Sequence, residues 1–275
     1  MLAQRVITAS VLLVAIVSTL LLSNHLYFEI LLLIFVTAAL WEWLRLNAVP
    51  SPWPIILAPI VALLTFAFWR YSSADSRQVI WWISTIAWAL LALPALYYGL
   101  RKQTRFRYSL LAVVVLAACY IAINELHLAK GSVYLLSVLL LTWIADITGY
   151  FVGRAVGKHK LAPSISPGKT IEGALGALLG VILYGIFCIA AQNLFGQALF
   201  PAEMAARFGM PMTLLILIGL GVASICGDLV ESLFKRKAGA KDSSRLLPGH
   251  GGMLDRIDAL LPVLPLAALL TFSGN

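Results

Sequence analysis

The sequence predicts an all-α integral membrane protein, a bundle of about nine transmembrane helices with a polar active-site cavity facing the cytoplasm. Three observations predict it. The 275 residues are 61% hydrophobic and only 12% charged, with a mean hydropathy of +0.93, whereas a soluble domain is about a quarter charged. Nine apolar segments follow one another, most of them near the roughly 20 residues that a span requires. Lys and Arg also divide very unevenly between alternate loops.

The segments cover roughly 6–22, 27–45, 54–70, 79–98, 109–126, 132–153, 171–192, 212–231 and 259–272, with bounds uncertain by several residues. Each is expected to be a helix, because a single span in lipid can satisfy its backbone in no other way. No small-residue cleavage site follows the first segment, so it is read as a retained span and not a signal peptide. The last is short and carries Pro262 and Pro265, which predicts a kink or tilt. Trp41/Trp43, Trp81/Trp82 and Tyr97/Tyr98 lie near segment ends, where aromatic anchors sit. Cys119, Cys188 and Cys226 lie inside apolar stretches without a CxxC pair and read as small buried hydrophobes.

With the N-terminus in the cytoplasm, 16 of the 20 Lys and Arg fall on the cytoplasmic side. They are Arg5, Arg45, Arg101, Lys102, Arg105, Arg107, Arg154, Lys158, Lys160, Lys169, Lys235, Arg236, Lys237, Lys241, Arg245 and Arg256. Arg70, Arg77, Lys130 and Arg207 fall on the other. A missed or extra span would scramble this bias, so the split supports nine spans with the C-terminus outside. The net charge of +8 therefore marks cytoplasmic loops first. It also suits anionic ligands such as phosphates and lipid head groups, and it is no argument for nucleic acid.

Two cytoplasmic loops, about 154–170 and 232–258, exceed what a tight connection needs. Acids gather beside them. Asp146 lies within the sixth segment, Glu172 opens the seventh, and Asp228 and Glu231 end the eighth. An ionised carboxylate costs about 2.5–3.5 kcal/mol at the centre of a membrane helix, so a cation, a metal or water must compensate it. Glu29 and Glu42 are lone acids near span ends and are read as solvated interfacial residues.

The stretch Asp228–Asp258 has four chemical parts. If the eighth helix continues, Asp228, Ser232 and Lys235 share one face. Lys235, Arg236, Lys237, Lys241 and Arg245 form a cationic cluster suited to phosphates. Gly249, Gly251 and Gly252 flank His250 and let backbone N–H groups approach an anion. Asp255 and Asp258, at i and i+3, can jointly bind a hard cation; Mg2+ takes one or two carboxylates with phosphate oxygens and water. No Walker-type GxxxxGK[ST] is present. Together the four parts describe a metal–polyphosphate site at the membrane surface. A transporter would instead carry acids near mid-span and pseudo-symmetric halves, and neither is apparent.

Ser232-Leu233-Phe234-Lys235-Arg236, Lys241-Asp242, Pro248-Gly249-His250-Gly251-Gly252 and Asp255-Arg256-Ile257-Asp258 together resemble the complete signature of the phosphatidate cytidylyltransferases. A second block resembles the family too: Asp146, Tyr150, Gly153-Arg154, Gly157-Lys158, Ser166-Pro167, Lys169-Thr170 and Glu172-Gly173. Gly149 stands where that family usually has Ala, and Gly168 where it often has Lys. The resemblance divides the chain into N-terminal transmembrane helices, 1–130, and a catalytic transmembrane region, 131–275.

The resemblance implies transfer of CMP from CTP to phosphatidic acid, giving CDP-diacylglycerol and pyrophosphate in phospholipid biosynthesis. It implies catalytic roles for Asp228, Lys235, Arg236, Lys241, Asp255 and Asp258, with Asp228, Asp255 and Asp258 holding Mg2+, alone or with a second cation. Ser232, Arg245, His250, Gly251, Gly252, Asp146, Lys169 and Glu172 are the implied substrate-binding residues. CTP, phosphatidic acid and membrane lipids are the implied partners, without nucleic acid and with a homodimer open to the assembly. The implied location is the bacterial cytoplasmic (inner) membrane, active site inwards. A CTP-dependent lipid kinase would use similar groups but release CDP in place of pyrophosphate.

Overall fold

The computed structural model describes residues 2–22, 24–100 and 105–273. Arg101 and Lys102, which enter the charge count above, lie outside these residues. The helices, in order, are α1 (Leu2–Leu21), α2 (Leu26–Leu46), α3 (Trp53–Tyr71), α4 (Ala74–Ala87), α5 (Leu93–Tyr98), α6 (Arg105–Lys130) and α7 (Ser132–Val156). Strands β1 (Lys160–Ala162) and β2 (Ser166–Thr170) follow, then α8 (Ile171–Phe195), α9 (Phe200–Lys237), α10 (Leu254–Ile257) and α11 (Leu260–Phe272).

Among the described residues seven apolar helices are long enough to cross a bilayer, which makes the chain an integral membrane protein: Leu26–Leu46, Trp53–Tyr71, Ala74–Tyr98, Phe106–Lys130, Ser132–Val156, Ile171–Phe195 and Phe200–Lys237. Ile7–Leu20 and Leu260–Phe272 are apolar but shorter. The third span is not uniform, because a π-helical turn at Trp88–Ala92 joins α4 to α5. In α9 the backbone leaves helical geometry at Gly209 (φ 77°, ψ 164°), which separates a short N-terminal helix from a long C-terminal one.

The bundle closes around α11. Leu260–Pro265 and Ala267–Leu269 of this helix are all buried, against α4, α6 and α9. Water drives no apolar helices together inside lipid, so close packing must hold them. At the end of the bundle where the signature loop lies, Trp43, Tyr108 and Phe234 meet, with ring centroids 5.1 and 5.4 Å apart. Trp43 and Trp81 are thus core residues and not interfacial anchors, while Trp82, Tyr97 and Tyr98 are exposed as anchors are. Cys119 and Cys188 are buried and Cys226 half-buried, all three free.

The loop at 154–170 is not irregular. Its strands form an antiparallel hairpin, with Lys160 opposite Thr170 and Ala162 opposite Ser166. Thr170 then caps α8, its hydroxyl accepting from Gly173 N at 3.1 Å. α7 and α8 form the most extensive pair in the bundle. Gly176 and Gly180 of α8 lie directly on Val152 and Thr148 of α7, with no room for a side chain. That is the small-residue contact by which membrane helices approach closely.

Candidate active site

Three constellations meet where α7, α8, α9 and the loop before α11 converge. The first is a cavity of about 520 Å3 between α7, α8, α9 and β2. Asp146, Lys169 and Asp228 line it, with Tyr150, Arg154 and Ser166. Lys169 reaches it from β2, and its Nζ stands 2.5 Å from Asp228 Oδ2. The Ser232 hydroxyl donates to Asp228 Oδ1 at 3.2 Å, one turn along α9, which does continue to Lys237. Apolar side chains exposed on α7 and α8, among them Ile147, Phe151, Ile171 and Leu175, face outward as lipid-facing residues do.

The second is a buried ion-pair chain. Lys235 pairs with Glu231, one turn earlier on α9, and with Asp255 Oδ1 at 2.6 Å. Glu231 is 2% exposed, so Lys235 supplies the compensation that an acid at this depth requires. Asp255 Oδ2 accepts from Ser243 N at 2.9 Å and Gly252 N at 2.8 Å. Burial works to raise the Asp255 carboxyl, but contacts with Glu231 and Lys235 and the Gly252 amide outweigh it and hold the group at about 2. Asp255 therefore stays ionised at any pH suited to an assay.

The third is a polar cleft of about 670 Å3 lined by Lys241, Asp242, Arg245, His250, Gly251 and Arg256, among others. His250 sits at the tip of a tight turn. Leu247 N donates to Gly251 O at 2.8 Å and His250 N to Leu247 O at 2.9 Å, and Gly251 takes φ +85°, a region that favours glycine. His250 Nδ1 is buried without a hydrogen-bond partner among the described residues.

The expected site residues thus separate. Asp146, Lys169, Asp228 and Ser232 come together at the cavity, and Lys241, Arg245, His250 and Gly251 at the cleft. Lys235 and Asp255 form the buried link between α9 and the signature loop. The Gly252 amide is used internally, on Asp255. Arg236 ties α9 to the hairpin through Nε and Ile165 O at 3.1 Å. Glu172 does not line the cavity. Its carboxylate accepts from the Lys158 and His159 amides and pairs with His159 Nδ1 at 2.6 Å, closing the turn that leads into the hairpin.

Asp258 follows Asp255 by one turn, and its Oδ1 accepts from Ala259 N at 2.8 Å. Gly227 of α9 lies so close to Asp258 O and Ala259 Cα that a side chain there would collide. This approach brings Asp258 towards Asp228. Burial, and then the charges of Asp228 and Asp146, push the Asp258 carboxyl upward. Among the described residues no three His, Cys, Asp or Glu side chains converge into a ready-made metal cage. The donor set nevertheless suits Mg2+, which needs only one or two carboxylates beside phosphate oxygens and water. Asp228 and Asp258 carry mutually repelling oxygens of the right hardness. As at Asp255, protein donors already engage both oxygens of Asp228, whereas among the described residues only Oδ1 of Asp258 has a donor, from Ala259 N.

Two further acids, Glu29 and Glu42, are expected from the sequence to be solvated interfacial residues, and both are buried; Glu29 is 1% exposed and pairs with Arg70 at 3.3 Å. Glu42 is 0% exposed and lies beneath the signature loop, accepting hydrogen bonds from Ser243, Ser244, Met253 and Leu254. An acid within an apolar run, Trp41-Glu42-Trp43, is the signal that marks it.

The chain is similar to known proteins over nearly its whole length. The family model described as the cytidylyltransferase family matches residues 3–273. A phosphatidate cytidylyltransferase of Pseudomonas aeruginosa is 34% identical over 280 residues, covering 100% of this chain and 98% of the relative. One from Haemophilus influenzae is 30% identical, covering 96% of each chain, and one from Staphylococcus epidermidis is 38% identical over 70% of each. With the family model spanning nearly the whole chain and two such relatives aligned over nearly their full length, the chain belongs to the cytidylyltransferase family.

Proposed function

We propose that this enzyme transfers CMP from CTP to phosphatidic acid, giving CDP-diacylglycerol and pyrophosphate. The match to the cytidylyltransferase family over residues 3–273 carries this reading. The site supplies its mechanism. The polar cleft with Lys241, Arg245, His250 and Arg256 takes the triphosphate of CTP. The cavity beside it, with Lys169 among apolar walls, takes the phosphate of the lipid, whose acyl chains leave between α7 and α8.

A lipid phosphate oxygen attacks the α-phosphorus of CTP in line. The bond from that phosphorus to the α–β bridging oxygen breaks, and pyrophosphate leaves with its electron pair. A phosphate monoester has its second pKa near about 6, so it is already a dianion in large part and no strong base is required. What the reaction does require is alignment and charge neutralisation. Lys169 holds the attacking phosphate near Asp228. The cationic loop draws the leaving pyrophosphate the other way. We assign Mg2+ to Asp228 and Asp258, where it would offset charge on the transferring phosphoryl group. Asp255 acts one step back, keeping Lys235 and the loop in place.

The reading includes the membrane frame. Nine spans, counting the two shorter apolar helices, put the N-terminus and the site in the cytoplasm of a bacterial cell and the C-terminus across the inner membrane. The sixteen-to-four charge split supports that frame. CTP cannot cross hydrocarbon, and phosphatidic acid keeps its chains in it; a site open to both is the geometry that admits the two substrates.

The test is incubation of the purified protein with CTP labelled in its α-phosphate and phosphatidic acid, with and without EDTA. Label in CDP-diacylglycerol, with pyrophosphate released, is expected and should vanish with the chelator. Release of CDP with an unlabelled phosphorylated lipid would make the chain a lipid kinase instead.

A further inference from the structure

Glu42 lies on α2, far in sequence from the signature loop whose donors fill its carboxylate. Oε1 accepts from the Ser244 hydroxyl at 2.5 Å and from Met253 N at 3.0 Å. Oε2 accepts from Leu254 N at 2.6 Å. The Ser243 hydroxyl stands 3.0 Å from Glu42 Oε2 and 2.8 Å from Asp255 Oδ2, with a single proton to share between them. Among the described residues no Lys, Arg or His pairs with Glu42 within 4.0 Å. Hydrogen bonds alone therefore hold this buried acid, and such an arrangement persists only where the donors are fixed to meet it.

Those donors come from both ends of one segment. Ser243 and Ser244 open it, Met253 and Leu254 close it, and the His250 turn lies between. The segment crowds onto the carboxylate: a Cβ on Gly252 would collide with Glu42 Oε1 and Ser243 Oγ. Through Ser243 the network runs on to Asp255, Lys235 and Glu231.

We infer that Glu42 is a positioning residue, which pins the two ends of segment 243–254 so that Arg245 and His250 line the polar cleft in the shape that binds CTP. The second half of that statement rests on the reading of the cleft given above; the pinning itself does not.

The experiment uses the full-length protein in detergent or proteoliposomes and the variant Glu42→Gln. Gln keeps the size but replaces one acceptor oxygen with an NH2 group, so at least one loop amide loses its acceptor. Backbone amide exchange at 243–254 should quicken. The KM for CTP should rise at least about tenfold, with the KM for phosphatidic acid within about twofold of the parent; a tenfold change corresponds to about 1.4 kcal/mol. Glu29→Gln is the matched control. Glu29 is a buried acid on the same helix, paired with Arg70 at 3.3 Å, and its loss should lower thermal stability without altering either KM.

Parental exchange at 243–254 in folded Glu42→Gln overturns the inference. So does a Glu42→Gln that behaves like Glu29→Gln, less stable but kinetically unchanged. Quickened exchange with only the KM for phosphatidic acid raised would sustain the pinning and overturn the assignment of CTP to the cleft. If Glu42→Gln does not fold, Ser244→Ala removes one donor from the loop side and is measured in the same way. Parental exchange and a parental KM for CTP there refute the pinning.

Discussion

Asp255 and Asp258 are one helical turn apart, yet they should fail differently. Asp258→Asn and Asp228→Asn should each lower turnover on the order of 100-fold or more, with the variants still folded by gel filtration and thermal unfolding. Near-parental rates in saturating Mg2+ would remove these carboxylates from the reaction. Lys235→Ala should unfold early, because it strands two buried acids; breaking such a pair costs about 3–5 kcal/mol. Adding Glu231→Gln should restore part of the melting temperature, and an equally low value for the double variant would argue against the pairing. The acids themselves were legible in the sequence, since a carboxylate within an apolar run must have a partner. The partners were not. The spacing of Asp228, Ser232 and Lys235 puts them on one face, but it cannot say that Lys235 turns inward to Glu231 and Asp255. Nor could it say that Glu42 meets Ser244, 202 positions on.

At the scale of elements, the wall shared by α7 and α8 sets the width of the cavity. Gly176→Leu should force the two helices apart at Val152. Overpacking of this kind costs about 1–3 kcal/mol. Because the same helices line the cavity that holds Asp146 and Asp228, the KM for phosphatidic acid should move more than that for CTP. Steady-state kinetics with each substrate varied in turn would check this, and an unchanged lipid KM would sever the interface from the site. The long apolar helices were readable because hydrophobic runs of that length have one stable form in lipid. The hairpin at 160–170 was not, as a strand of three residues is too short to carry an alternation. The π-helical turn at Trp88–Ala92 left no trace either, since it alters hydrogen bonding without altering hydrophobicity.

For the whole molecule, the charge asymmetry makes a topological prediction. A reporter fused after residue 275 and active only in the cytoplasm should stay silent, while the same reporter fused at the N-terminus should be active. The reverse pattern would invert the bundle and put the cleft on the wrong side for CTP. Composition established the membrane class, and loop charge established an orientation to test. Neither could show that α11 lies at the centre of the bundle, because a short helix with two prolines reads as a marginal span until its neighbours are known.

The break at Gly209 leaves α9 helical from there to Lys237, a rod of roughly 40 Å at about 1.5 Å per residue. The hydrocarbon layer is only about 30 Å thick. In the membrane frame proposed above, the helix would act as a ruler, setting the height of Asp228 relative to the plane of the lipid phosphates. A bilayer that is too thick would sink that carboxylate below the head groups, and one that is too thin would lift it clear, each mismatch costing a fraction of a kcal/mol per ångström. In proteoliposomes of graded acyl length, at constant phosphatidic acid content and in the fluid phase, turnover should pass through a maximum. A flat response would mean that the bundle tilts to keep its reacting groups level with the surface.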